Sequence, residues 1–274
     1  MVKIKYILIA VLSLTFLSGN VSGEKQPETK QKTIKMWLIG DSTVADYSKE
    51  DNYKSKKYPI TGWGQVFQSF VSGSNLQAIK NFLIADNVII DDRAKGGRST
   101  RTFFQEGRWR EVYNDMQPGD FVLMQFGHND ASVQKTERYV NEEGYKEFLR
   151  LFISQTRQKN GTPILVTPVA RNYPWENDTL KNIHGNYPQC MFEIAEETQT
   201  LLIDLNKRSM EYFTAKGRDY VKTNYFMNLP AGKYEAYPDG QNDNTHFQPE
   251  GAKAVAELVF EGLKDLANHT QTEE

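Results

Sequence analysis

Five short, nearly continuous apolar and β-branched runs, separated by longer stretches with helical spacing, constrain this chain more than any other feature. They are Ile34 to Ile39, Val88 to Ile90, Phe121 to Phe126, Ile164 to Thr167 and Leu201 to Leu205. A strand with one face in water alternates apolar and polar residues, whereas an unbroken run belongs to a strand buried on both faces, as in a parallel sheet. Helical patterns at Gly64 to Ser72, Thr102 to Asp115, Asn141 to Lys159, Tyr187 to Thr198 and Pro249 to Ala267 supply the crossovers. Repeated βα units predict an α/β domain in which a five-stranded parallel sheet is covered by helices on both faces, with right-handed connections.

The N-terminus stands apart from this pattern. Lys3 and Lys5 precede an apolar stretch from Tyr6 to Leu17, followed by Val21-Ser22-Gly23. The stretch is shorter than the roughly 20 residues that span a bilayer, so residues 1–23 read as a cleaved export signal. Residues 24–32 are polar, contain Pro27 and read as a disordered leader. The remaining residues, 33–274, form one domain. Export places the mature protein in a periplasm or the medium, with no membrane association after cleavage.

With Lys3 and Lys5 removed, 31 basic residues face 35 acidic ones, a formal charge of -4. That balance argues against nucleic acid as a partner. The four histidines contain no His-x-x-x-His pair, and Cys190 is the only cysteine. Neither a zinc site nor an intrachain disulfide is expected, and no cofactor is implied. Nothing in the pattern indicates an oligomeric state.

Four segments carry the chemistry: Gly40-Asp41-Ser42-Thr43, Gly96-Gly97-Arg98-Ser99, Gly127-His128-Asn129-Asp130 and Asp243-Asn244-Thr245-His246. The first three follow predicted strands one, two and three, at the carboxyl edge where open parallel sheets bind ligands. The fourth lies in a predicted loop before the last helix, which opens at Pro249, a residue suited to a first helical turn. Ser42 needs a base to become a nucleophile, and His246 with Asp243 three residues earlier can supply one. Candidate oxyanion donors are the N–H groups of Ser42 and Gly97 and the side-chain amide of Asn129. Taken singly, each segment also reads as ordinary structure: a helix-capping turn, a strand-ending glycine pair, a buried loop amide and an Asp capping local backbone. Their conjunction favours acyl transfer through a serine ester. His128 has no local carboxylate except Asp130 and reads as a packing residue.

These segments resemble the four blocks of the SGNH (GDSL-like) hydrolase superfamily. Gly62-Trp63-Gly64, Gly97-Arg98-Ser99-Thr100-Arg101 with Glu106-Gly107-Arg108, and Phe126-Gly127-His128-Asn129-Asp130 are similar to the rhamnogalacturonan acetylesterase branch. Thr43, where the wider family often has leucine, agrees with that branch. The resemblance runs from about Thr33 to Ala267. It implies a flavodoxin-like three-layer α/β/α sandwich, catalytic Ser42, His246 and Asp243, an oxyanion hole of Ser42, Gly97 and Asn129, and an acetylated pectic polysaccharide or oligosaccharide as substrate.

After strand four, Arg171-Asn172-Tyr173-Pro174-Trp175 offers candidate substrate contacts. Tyr173 and Trp175 could stack on sugar rings while Arg171 and Asn172 bond hydroxyls or carboxylates; equally, Trp175 could pack into the core. No long apolar lid is present, which argues against a lipase. Gly62-Trp63-Gly64 lacks the third glycine and preceding strand of a dinucleotide fingerprint, and no phosphate-loop lysine motif occurs. Val44 stands where a nucleophile elbow needs glycine, which disfavours the α/β-hydrolase architecture. The expected activity is an exported serine esterase acting on acetylated cell-wall glycan, most consistent with rhamnogalacturonan. Acetylated xylan or another glycan, a lipid or thioester on the same fold, and a non-catalytic carbohydrate-binding protein are the alternatives.

Overall fold

The computed structural model describes residues 31–272. The export signal expected at 1–23 and leader residues 24–30 lie outside the described residues. Lys32, the last leader residue, is tied down: its N–H donates to the Asp86 carboxylate at 2.9 Å and its carbonyl accepts from the N–H of Asp86 and Asn87.

The strands in chain order are β1 (Thr33–Gly40), β2 (Asn87–Asp92), β3 (Phe121–Gln125), β4 (Thr162–Val166), β5 (Trp175–Glu176), β6 (Thr179–Leu180), β7 (Leu201–Ile203), β8 (Phe226–Leu229) and β9 (Gln241–Phe247). The helices are α1 (Tyr53–Lys56), α2 (Trp63–Val66), α3 (Gly73–Leu83), α4 (Thr100–Gln105), α5 (Arg108–Asp115), α6 (Glu142–Gln158), α7 (Tyr187–Thr198), α8 (Leu205–Lys216), α9 (Arg218–Asn224) and α10 (Pro249–Thr272). One five-stranded sheet runs β2-β1-β3-β4-β7 with every pair parallel. This is the expected flavodoxin-like α/β/α sandwich.

The apolar runs are unbroken because both sheet faces are buried. Along β1, Ile34, Met36 and Leu38 face one layer while Trp37 and Ile39 face the other. The first layer packs against α2, α3, α8, α9 and α10, and the second against α4, α5, α6 and α7. Helix α6 shows how its sequence places it. Asn141 caps it by accepting from the N–H of Gly144 at 2.9 Å, Glu142 and Glu143 stand in its first turn, and Tyr145, Leu149, Phe152, Ile153 and Thr156 form one buried stripe.

Several elements differ from the sequence expectation for local reasons. The helix expected at 102–115 is broken by Gly107, whose φ of 75° is left-handed, into α4 and α5. The helix expected at 64–72 is α2 followed by a 3-10 turn at 67–71. The last sheet strand stops at Ile203, because Asp204 caps α8 by accepting from the N–H of Lys207 at 3.1 Å. Helices α3, α8 and α9 and the β8–β9 hairpin were not anticipated. The hairpin matters most, because the segment expected to be a loop around Asp243 and His246 is strand β9.

Asp120 joins the amino ends of β1 and β3. It is 4% exposed and accepts from the Lys35 N–H at 2.8 Å, the Trp37 indole N–H at 2.9 Å and the Gln117 N–H at 2.9 Å. Leaving a buried donor unpaired costs about 1–3 kcal/mol. Asp120→Ala should therefore lower the denaturation midpoint by the equivalent of about 3 kcal/mol or more, with an unchanged denaturant slope. A shift below about 1 kcal/mol would mean that solvent replaces the carboxylate.

Candidate active site

At the carboxyl end of β1 the chain turns sharply, and Gly40 permits the turn: a Cβ there would lie 2.5 Å from the Gln125 carbonyl. Asp41 Oδ1 then accepts from both the N–H and the hydroxyl of Thr43, each at 2.9 Å. The Thr43 hydroxyl also accepts from Gln125 Nε2 at 2.6 Å, and Gln125 Oε1 accepts from the Trp63 indole at 2.9 Å. Leucine at 43 could make neither side-chain bond. The N–H groups of Trp63 and Gly64 donate to the carbonyls of Thr43 and Val44. Added Cβ atoms at Gly62 and Gly64 would lie 2.3 Å from the Ala45 carbonyl and an Asp92 carboxylate oxygen. Gly62-Trp63-Gly64 is therefore the floor beneath the Ser42 turn. Burial pushes the Asp41 carboxyl up to about 6, against the opposing bonds from Thr43.

Ser42 is 9% exposed, and the structure brings His246 and Asp243 to it across 204 positions of chain. His246 Nε2 lies 2.9 Å from Ser42 Oγ, and His246 Nδ1 lies 2.6 Å from Asp243 Oδ2. The other carboxylate oxygen accepts from the backbone N–H of Thr245 at 2.7 Å and of His246 at 3.1 Å. Burial opposes the charge on Asp243, but the bonds from His246 and Thr245 outweigh it and hold the carboxyl below its ordinary range. An ionised Asp243 keeps the imidazole proton on Nδ1, which turns the Nε2 lone pair toward Ser42.

Gly97 and Asn129 close the other side of Ser42. Gly97 has φ 81°, and Gly96 packs beside Ser42, with a notional Cβ 3.6 Å from that of Ser42. Among the described residues, the N–H groups of Ser42 and Gly97 donate to no acceptor. Asn129 Nδ2 donates one hydrogen to the Arg98 carbonyl at 2.9 Å, which orients the amide and leaves its second hydrogen unused. Asp130 braces this side. It accepts from the N–H and hydroxyl of Thr100 at 2.9 and 2.6 Å and from the Gly127 N–H at 3.2 Å, tying the start of α4 to the turn after β3. Burial raises its carboxyl to about 7.

His128 sits below the rim and is 3% exposed. Its Nδ1 accepts from Arg171 Nε at 3.3 Å, and its ring meets that of His184 at 4.4 Å. Burial, then the nearby His184 and Arg171, hold it well below the ordinary histidine range, so it stays neutral. Sequence gave no sign of His184, which binds the Val169 carbonyl through Nε2 at 2.8 Å.

The four candidate substrate contacts separate. Arg171 lines the cleft with Ser42, and its Nη1 donates to the Tyr173 hydroxyl at 2.8 Å. Tyr173 is 37% exposed but lines a neighbouring hollow. Asn172 is 5% exposed: its amide donates to Asn244 Oδ1 at 3.0 Å and its Oδ1 accepts from the Trp175 indole at 3.0 Å. Trp175 packs against the apolar core. Asn172 and Trp175 thus lock the loop to β9 rather than facing the cleft. Neither lines the cleft that holds Ser42: Asn172 borders the neighbouring hollow with Tyr173, and Trp175 takes the core-packing role that the sequence equally allowed.

The cleft encloses about 690 Å³ and is lined by Ser42, Gly96, Gly97, Asn129 and His246, with Tyr47, Lys95, Lys135 and Arg138 among residues that sequence did not single out. The Tyr47 hydroxyl donates to the Ser42 carbonyl at 3.0 Å. Among the described residues, no group of three or more His, Cys, Asp or Glu side chains could hold a metal ion.

Burial, and after it Arg171, pushes the His184 imidazole down to about 3. Below about pH 6.5 the unfolded chain takes up a proton that the folded chain refuses, so stability present above that pH drains away as pH falls toward 3. His184→Gln should be less stable than wild type at pH 7.5, with the gap in Tm closing by pH 5. A gap of equal size at both pH values would show that His184 protonates freely in the fold.

The model of the GDSL-like Lipase/Acylhydrolase family matches residues 38–254. The rhamnogalacturonan acetylesterase RhgT of Bacillus subtilis (strain 168) is 35% identical over 236 residues, covering 86% of this chain and 92% of RhgT. The probable rhamnogalacturonan acetylesterase YesY of the same organism is 38% identical over 232 residues, covering 84% of this chain and 93% of YesY. The crystal structure of YxiM from Bacillus subtilis superposes with a TM-score of 0.68 and 26% identity over 86% of this chain; the match spans 57% of YxiM's own length. The serine turn, the Gly97 turn, the Asn129 turn and the Asp243–His246 strand all lie inside the matched span, and the chain belongs to the GDSL-like lipase/acylhydrolase family.

Proposed function

We propose that this protein is a serine esterase that removes acetyl groups from a plant cell-wall polysaccharide, with rhamnogalacturonan as the favoured substrate. The chain is a carboxylic ester hydrolase by family. The observation that carries the mechanism is the continuous line from Ser42 Oγ through His246 to Asp243, at 2.9 and 2.6 Å, opening into a cleft with unused N–H donors. The substrate rests on the similarity to RhgT and YesY.

The steps follow from the geometry. His246 Nε2 takes the Ser42 proton as Oγ attacks the acetyl carbonyl carbon, and the electron pair of the C=O bond moves onto oxygen. The N–H groups of Ser42 and Gly97 and the unused hydrogen of Asn129 face that oxyanion. Collapse expels the sugar oxygen, which receives the proton from His246, and leaves acetyl-Ser42. Water then attacks with His246 again as base, releasing acetate and restoring Ser42. Asp243 stabilises the imidazolium in both halves without itself being protonated.

Ser42→Ala and His246→Ala should each lower kcat by about three orders of magnitude or more in folded protein, and the double variant should be little worse, since the two groups act as a unit. Near-normal acetate release by folded Ser42→Ala would end this mechanism. Wild type should release acetate from acetylated rhamnogalacturonan faster than from acetylated xylan, and from both faster than from long-chain esters. Rates that climb with acyl length would favour a lipid substrate, and glycan binding without acetate release would favour a non-catalytic module.

Export is proposed from Lys3, Lys5 and the apolar Tyr6 to Leu17 stretch. Fractionation of cells expressing the full chain should place a shortened protein outside the cytoplasm, with an N-terminus near residue 24. Full-length protein retained in the cytoplasm would refute it.

A further inference from the structure

The cleft beside Ser42 is strongly cationic. Lys57, Lys95, Arg98, Lys135, Arg138 and Arg171 line it against one acid, Glu50. Three of these cations have carboxylate partners but share them: Lys57 and Lys95 both pair with Glu50, at 2.8 and 2.6 Å, and Arg98 pairs at 3.0 Å with Glu106, which also holds Arg108. Among the described residues, Lys135 and Arg171 pair with no carboxylate, and Arg138 has only Glu137, 3.7 Å away and 70% exposed.

Arg138 is the telling residue. Its side chain is 20% exposed, its Nε is buried with no acceptor, and its Nη1 reaches the Gly97 carbonyl only at 3.5 Å. Holding a guanidinium largely out of water with its donors poorly met is costly, and the cost is recovered when a ligand brings an anion. The planar fork matches a carboxylate through two parallel bonds. Its place is also informative. Nη1 lies 3.3 Å from where a Cβ on Gly97 would stand, and the adjoining Gly96 lies against Ser42. Lys135 occupies the same turn, its carbonyl accepting from the Arg138 N–H at 2.9 Å.

We propose that Arg138, assisted by Lys135, binds the carboxylate of an acidic sugar at or next to the acetylated residue, and so selects uronate-containing glycans over neutral ones. This rests on the glycan esterase reading above. Three of the five Arg171 donors, one on each nitrogen, are engaged by His128 and Tyr173, which fixes its orientation, so Arg171 adds positive potential to the cleft while Arg138 supplies the less engaged fork.

The test compares an acetylated rhamnogalacturonan oligosaccharide with the same oligosaccharide after reduction of its carboxyl groups to alcohols. Wild type should favour the acidic form, with a preference that shrinks as ionic strength rises. Arg138→Gln should reduce the ratio of kcat/KM between the acidic and reduced forms by about ten- to a hundredfold, mainly through KM, the size expected for one lost charged hydrogen-bonded contact. Lys135→Gln, at an exposed position where folding is not at stake, should reduce the ratio in the same direction by less. Equal losses on both forms would make Arg138 a support for the Gly97 turn and overturn the proposal, as would a wild type indifferent to carboxyl reduction. Wild type that releases no acetate from either form would instead remove the glycan esterase reading, and this inference with it.

Discussion

A buried chain of side-chain hydrogen bonds running from Asp41 through Thr43 and Gln125 to Trp63 fixes the end of β1, and the candidate active-site rim depends on that fixation. Each link is inaccessible to water, so losing one partner leaves the next unsatisfied at about 1–3 kcal/mol. The chain starts in the serine turn, crosses to β3 and ends in α2. The turn that carries Ser42 is consequently held by three elements of the fold rather than by its own loop.

The opposite wall depends on a second buried carboxyl. Asp130 fastens the start of α4 to the turn after β3, and these segments carry Gly97 and Asn129. The three carboxyls near Ser42 show environment deciding charge. Burial dominates at Asp41 and Asp130 and raises both, whereas hydrogen bonds from His246 and the backbone of β9 prevail at half-buried Asp243. Only the last needs to be an anion for the proposed chemistry, because its charge balances an imidazolium. The other two serve as acceptors that hold turns.

A formal charge of -2 over the whole sequence conceals a cleft whose lining is positive. Net charge sums the surface, while a ligand meets the local field, which a concave low-dielectric wall concentrates. The acidic residues that set the sum lie elsewhere, many of them on helices such as α6 and α7 where they pair across the outer face.

The sequence by itself determined the α/β sandwich and singled out the central candidate residues. Unbroken apolar strands require two covering layers, and a parallel sheet brings segments that follow β1, β2 and β3 to one edge, so Ser42, Gly97 and Asn129 could be grouped before any coordinates. Tertiary structure alone decided the rest. β9 is almost entirely polar, with only Phe247 buried along it, so its pairing with β8 leaves no period-2 pattern to read. Asn172 and Trp175 look like sugar contacts in the sequence, yet in the fold the Trp175 indole donates to Asn172 and the Asn172 amide donates to Asn244, away from the Ser42 cleft. Likewise Arg138 is one of many surface-type arginines until burial strips its Nε of partners. Periodicity reports which face is apolar; which polar group is left without a partner is a property of the assembled fold.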